Sequence, residues 1–114
     1  MQSQSAGLES VFHALGDPTR LGVLAQLAEG PATVSQLAAR YHMALPSFVQ
    51  HLKVLEDSGL ITSSKKGRVR TCKLKPQAMS QAEGWLAEQR AMWEARLDRF
   101  DSYVRKLHAQ EANK

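Results

Sequence analysis

The sequence predicts a mainly α-helical fold with a small β-hairpin, five helices plus a two-stranded wing. Three observations predict it. Two short helix-like segments with a four-residue break between them lie between Thr33 and Gly59. A basic hairpin pattern follows over residues 60–75, and a long amphipathic pattern runs on from Pro76. The 114 residues are read as a single domain, 1–114, large enough to bury a core but with little to spare.

Each element has a local cause. Residues 1–6 are polar and are expected to be disordered. From about Leu8 to Leu15 a first helix places Leu8, Val11, Phe12 and Leu15 on one face. Gly16 ends it, Asp17 caps a second helix, and Pro18 suits the first helical position, where its missing N–H is no loss. Leu21, Leu24, Leu27 and Ala28 form the buried stripe of that helix, which Gly30–Pro31 closes. The third helix is expected over Val34 to Tyr41, opened by a capping box. Thr33 caps through its hydroxyl and Gln36 reaches back to the Thr33 N–H. After the break at His42–Met43–Ala44–Leu45, Pro46 opens the fourth helix, which runs to Ser58 and stops at Gly59, a left-handed C-cap. Strands are expected over Leu60 to Ser63 and Val69 to Leu74, around the turn Lys65–Lys66–Gly67–Arg68. The last helix is expected from Pro76 to about His108.

Two helices joined by a tight turn (33–59), followed by a wing (60–75), make a winged helix-turn-helix, whose second helix can enter a DNA major groove. Charge agrees with that reading. The net charge of +4 is unevenly spread: residues 31–76 carry eight basic and two acidic side chains, residues 1–30 are net −2, and residues 77–114 cancel. The whole positive excess therefore sits on the two-helix unit and the hairpin, the surface expected to meet phosphates. No apolar run is long enough to span a membrane, so no membrane partner is expected. The start, MQSQSAGLES, lacks the pattern of a secretory signal, and the single Cys72 has no internal disulfide partner, which fits a reducing cytoplasm. Neither a phosphate-cradling glycine loop nor a nucleophile motif is present, so an enzyme is not expected. The alternative is a winged-helix module that binds protein or RNA without operator specificity.

Within the fourth helix, Phe48, Leu52 and Leu55 are expected to pack inward. Ser47, Val49, Gln50 and Lys53 are left for DNA. Gln50 suits adenine, Val49 a thymine methyl, and Lys53 a phosphate. Gln36 on the third helix is included in the DNA-binding set, and His51 is expected to be a partly buried packing and hydrogen-bonding residue. Lys65, Lys66, Arg68 and Arg70 crowd the wing with no acidic partner in sequence, placed to grip phosphates or enter a narrow minor groove. On the last helix Trp93, Leu97, Phe100, Val104 and Leu107 recur at alternating spacings of four and three, the seam of a helical pairing. A homodimer is expected through this 76–108 dimerisation helix, with Leu8, Val11 and Phe12 of the first helix completing the interface.

Three stretches resemble one family: FHALGDPTRLGVLAQLAEGPATVSQLA, MALPSFVQHLKVLEDSGLI and GRVRTCKL. They resemble the arsenical-resistance-repressor (ArsR) family of winged helix-turn-helix regulators, over about Leu8 to Leu107. The Trp-containing WLAEQRAMWEARLDRFDSYV resembles a subgroup with Trp-rich last helices. The resemblance implies a homodimer built from first and last helices that binds an operator in double-stranded DNA and represses transcription. Ala44 and Val49 stand where the family often has Ser, implying a missing helix cap and a missing hydroxyl contact. The family's Cys-x-Cys metal pair is absent from TVSQLAARY, and His108-x-x-Glu111 supplies half of its other site, with Ala95 and Leu97 in place of ligands. No metal and no cofactor are therefore expected, and the effector is left unassigned. Cys72 lies among Arg70, Lys73 and Lys75, which suggests a lowered thiol pKa, although a plain small strand residue is the simpler reading.

Overall fold

The computed structural model describes the backbone of residues 4–112, and the side chains of residues 7–112. Five helices and three short strands follow in the order α1 (Gln4–Leu15), α2 (Pro18–Leu27), β1 (Ala32–Thr33), α3 (Val34–Ala38), α4 (Leu45–Asp57), β2 (Ile61–Lys66), β3 (Val69–Leu74), α5 (Pro76–Ala112). The chain divides into two compact units, Met1–Ala82 and Glu83–Lys114.

The first unit holds the core. Val11, Val23, Leu37, Phe48, Leu55, Leu60 and Ile61 are almost wholly buried, one or more from each of α1 to α4 and from the start of β2. Local chemistry sets three element ends as expected. Asp17 accepts from the Arg20 N–H at 3.0 Å to cap α2, and both bonds of the Thr33–Gln36 capping box form. Helix α4 closes in a Schellman motif: Gly59 has φ +80, Leu60 N donates to Leu55 O and Gly59 N donates to Glu56 O, both at 3.0 Å.

Several expectations change. Leu21 and Ala28, expected in the buried stripe of α2, are exposed, and Val23 is buried with Leu24 and Leu27 instead, because apolar spacing marks a face while packing against other elements sets which side of it is covered. Helix α5 runs on past His108 to Ala112. Helix α1 starts at Gln4, so residues 4–6, expected to be disordered, are helical; residues 1–3 lie outside the described residues. Helix α3 stops at Ala38 rather than Tyr41, and the Tyr41 ring instead packs against Phe48 with centroids 5.5 Å apart. The hairpin gains a third strand, because β1 pairs antiparallel with β3 (Ala32 with Cys72, Thr33 with Thr71), giving the order β1-β3-β2. Two residues are too short for an alternation pattern, so this strand exists only through its distant partner. The hairpin turn is tighter than expected. Lys66 pairs with Val69, and only Gly67 and Arg68 lie between them. Gly67 has φ +64 while Arg68 has no positive φ, as in a type II′ turn, whose twist matches the flanking strands.

The second unit consists of the later part of α5. Trp93, Leu97, Phe100, Val104 and Leu107, together with Met92 and Tyr103, leave large apolar areas exposed, Trp93 at 60% and Phe100 at 66%. At 100° per residue all seven fall within a stripe about 140° wide. Val11, expected in the dimer interface, is instead 1% exposed and belongs to the core of the first unit. Its spacing with Leu8 and Phe12 defines a shared face but not what covers each position. Leu8 and Phe12 are partly buried against that core.

Candidate nucleic-acid interface

Helix α4 is sharply two-sided. Phe48, Leu52 and Leu55 are buried, while Ser47, Val49, Gln50 and Lys53 are exposed, as the helical spacing predicts. Ala44 occupies the N-cap without a side-chain bond, since it has no hydroxyl to offer. Leu45, on the first turn of α4, is 57% exposed beside the outer face, which the sequence does not signal. Its spacing to Phe48, Leu52 and Leu55 is that of a core residue, so the sequence carried no signal against burial.

The wing stands beside this helix. Lys65 lies directly opposite Arg70 across the hairpin, and all four wing cations (Lys65, Lys66, Arg68, Arg70) are exposed. Like charges in direct cross-strand register repel each other, a cost that an anion between them would remove. The two-residue periodicity of the strands puts Ser63, Lys65, Arg70 and Cys72 on the face toward α4 and Lys66 on the other. Ser63 Oγ donates to Glu56 Oε1 at 2.8 Å and accepts from Arg70 Nη1 at 3.3 Å, linking α4 to the wing. A groove of about 850 Å³ lies between helix and wing, with Leu52, Ile61 and Cys72 at its floor and Lys53, Lys65 and Arg68 at its rim.

Gln36 is engaged in local structure. Its Oε1 accepts from the Thr33 N–H at 2.9 Å, leaving only its amide NH₂ for a partner. Cys72 does not behave as the suggested reactive thiol. It is 1% exposed, and burial, reinforced by the Glu56 charge, pushes its pKa up against the opposing pull of Arg70. Lys73 lies on the other face of the strand, so desolvation wins.

Behind the reading face lies a polar cluster that sequence reasoning only touched. Arg20, nine-tenths buried, donates from Nε to Ala14 O at 2.8 Å and from Nη2 to His13 O at 3.1 Å. Its Nη1 lies 3.0 Å from His51 Nδ1, on the inner side of α4. The Asp17 carboxylate sits 3.6 Å from that same nitrogen, too far for a good hydrogen bond. The Arg20 contact therefore sets the tautomer: Nδ1 accepts, and the proton is on Nε2. The backbone N–H of Arg20, with smaller help from the Arg20 guanidinium charge, holds the Asp17 carboxyl below its ordinary range despite some desolvation. His51 thus has the partly buried, bonded role expected of it; its partner Arg20 was not singled out.

Among the described residues no three potential metal-binding side chains cluster, and no helix is long and apolar enough to cross a membrane.

A helix with a polar outer face beside a cationic hairpin, on a helix-turn-helix frame, defines a winged-helix DNA-binding protein. A family model described as "Helix-turn-helix domain" matches residues 15–64. A crystal structure of an ArsR family transcriptional regulator is 51% identical, with TM-score 0.78, over 82% of this chain and 97% of that one. The uncharacterized HTH-type transcriptional regulator YuzN of Bacillus subtilis (strain 168) is 34% identical over 68% of this chain and 94% of its own. The arsenical resistance operon repressor of Escherichia coli (strain K12) is 29% identical over 90% of this chain and 86% of its own. The chain belongs to the ArsR family of transcriptional regulators and is itself a DNA-binding transcriptional regulator.

Proposed function

We propose that this regulator is a homodimeric repressor that lays α4 in the major groove and the wing on flanking phosphates, occupying an operator in the cytoplasm. The observation that carries this reading is the pairing of an exposed, chemically diverse face on α4 with uncompensated cations on the wing. Ser47, Val49 and Gln50 lie near the helix start, where side chains meet base edges, and Lys53 lies further along, toward the backbone. Leu45 adds an apolar contact suited to a thymine methyl. Lys65, Lys66, Arg68 and Arg70 supply sequence-independent affinity, and Gln36 contributes through its free amide.

Dimerisation is supported by the exposed stripe of α5. Seven large apolar side chains along one helix face exceed what a soluble monomer ordinarily leaves to water. Two copies of the stripe pack as a helical pair, giving the dimer two reading helices for two half-sites. The name of the Escherichia coli relative supports repression as the direction of control.

The test is Gln50→Ala on a duplex that the protein itself selects from a random-sequence pool. Removing a bidentate base contact costs ~1–3 kcal/mol on that duplex and little on random DNA. Equal weakening on both removes Gln50 as a sequence reader and shifts that role to Ser47, Val49 and Leu45.

A further inference from the structure

We propose that Arg20 is a positioning residue for sequence reading, holding the rotation of α4 through His51 while touching no DNA itself. The inference rests on the regulator reading above and assigns to its site a residue on a different element.

The geometry is that of a clamp. Near the end of α1 the Arg20 guanidinium takes Ala14 O and adds a second bond to His13 O, which also accepts from the Gly16 N–H at 3.2 Å. That seats a cation at the negative end of the α1 dipole, where it is favoured. The remaining arm of the planar fork reaches His51 Nδ1 at 3.0 Å. One nine-tenths-buried side chain thereby joins α1, α2 and α4 at fixed angles. Such a group has no cheap alternative, because a buried guanidinium that loses an acceptor keeps its desolvation cost.

The consequence concerns specificity rather than general affinity. His51 follows Gln50 directly and lies two residues from Val49, so rotation of α4 about its axis moves the base-reading side chains with it. Hydrogen bonds to base edges tolerate little misorientation, whereas phosphate contacts from flexible Lys and Arg adapt. Apolar packing of Phe48, Leu52 and Leu55 holds the helix in the core but resists small rotations less sharply than a directional bond. Asp17 completes the arrangement. Its carboxylate accepts from the Arg20 backbone N–H at the start of α2 and lies 3.6 Å from His51 Nδ1.

The test uses the full chain, the duplex selected from a random pool, and poly(dI-dC) as unselected DNA. His51→Leu removes the acceptor at similar volume, His51→Asn places an amide oxygen where Nδ1 stood, and Arg20→Lys keeps the charge but loses the fork. Affinity for the selected duplex is expected to fall about tenfold or more for His51→Leu and Arg20→Lys, with poly(dI-dC) binding within about twofold. His51→Asn is expected to recover most of the loss, and the double variant Arg20→Lys, His51→Leu to lose no more than the worse single variant. An unchanged ratio between the two DNAs in His51→Leu overturns the proposal, as does Asn behaving like Leu. A second readout needs no DNA: imidazole ¹⁵N shifts of the wild type are expected to show His51 Nδ1 unprotonated and hydrogen-bonded at neutral pH. A protonated Nδ1 overturns the clamp. If the wild type selects no duplex from the pool, the sequence-reading function fails, and the proposal with it, while the nitrogen shifts still report the clamp geometry separately.

Discussion

Gly22 lies directly against the phenol of Tyr41, so close that a Cβ built on its backbone overlaps the hydroxyl oxygen. The hydroxyl is held where it is by Thr19 O at 3.4 Å, and the ring by Phe48. A single Gly22→Ala substitution should therefore destabilise. Overpacking costs about 1–3 kcal/mol, against a helix-propensity gain of up to ~1 kcal/mol for α2. In a Tyr41→Phe background the overlapping atom is gone and the same substitution should stabilise. Urea denaturation of the four proteins in this cycle checks the change of sign; destabilisation by the same amount in both backgrounds would refute it.

Asp17 makes α2 sensitive to acid. Its folded-state pKa is lowered, first by the Arg20 backbone N–H. Its contribution is therefore present above the ordinary carboxylate value of 3.8 and is lost as pH falls through the lowered one. Asp17→Ala should cost about 1 kcal/mol at pH 7, as for a typical N-cap, and the two proteins should converge in stability as pH falls below 3.8. A gap that persists at pH 2 would assign the effect to something other than the charged cap.

Arg68 sits in the two-residue turn of the wing, exposed, and no carboxylate pairs with it among the described residues. Arg68→Ala should weaken selected and unselected duplexes alike. It should also flatten the plot of log affinity against log salt by about 1 for the phosphate that Arg68 neutralises in each subunit. Fluorescence anisotropy at several salt concentrations measures both, and an unaltered slope would remove Arg68 from the phosphate-binding set.

Leu97 and Phe100 are 50% and 66% exposed in the single chain, so truncating them leaves the core of the first unit untouched. In the proposed dimer they lie at the middle of the seam, where each truncation to Ala costs about 2–5 kcal/mol. The double variant should sediment as a folded monomer at micromolar concentration. A persistent dimer would place the interface elsewhere.

Zinc, cadmium and arsenite are expected to leave DNA affinity unchanged, because the chain offers one buried thiol and half of a His/Glu set. Anisotropy with each metal at stoichiometric concentration is the measurement, and a stoichiometric fall in binding would reveal a ligand set completed between subunits.

Much of the fold was legible because its signals are local. The Asp17 cap, the Thr33–Gln36 box and the Gly59 stop each work through neighbours within five residues, so the sequence displays them side by side. The two faces of α4 were legible for the same reason: Phe48, Leu52 and Leu55 repeat at helical spacing, and exposure of Val49 and Gln50 follows from it. Leu45 shows where this logic stops. It fits the apolar spacing, yet the first turn of α4 projects beyond the core, and no pattern along the chain encodes how far a core extends.

What the tertiary structure alone decided involves partners far apart along the chain. Strand β1 exists because Ala32 meets Cys72, and the burial of Val11 depends on which elements close over α1. The Cys72 thiol has basic neighbours in sequence, yet its surroundings in space are the apolar core and Glu56, so its pKa moves opposite to the direction its neighbours suggest. Arg20 and His51, thirty-one residues apart, become partners only when α2 and α4 pack. A helix cap or an amphipathic stripe is written in bond rotations and spacing along one segment. Burial, desolvation and long-range hydrogen bonds belong to pairs of segments, and their identity follows from packing, which no single stretch of sequence contains.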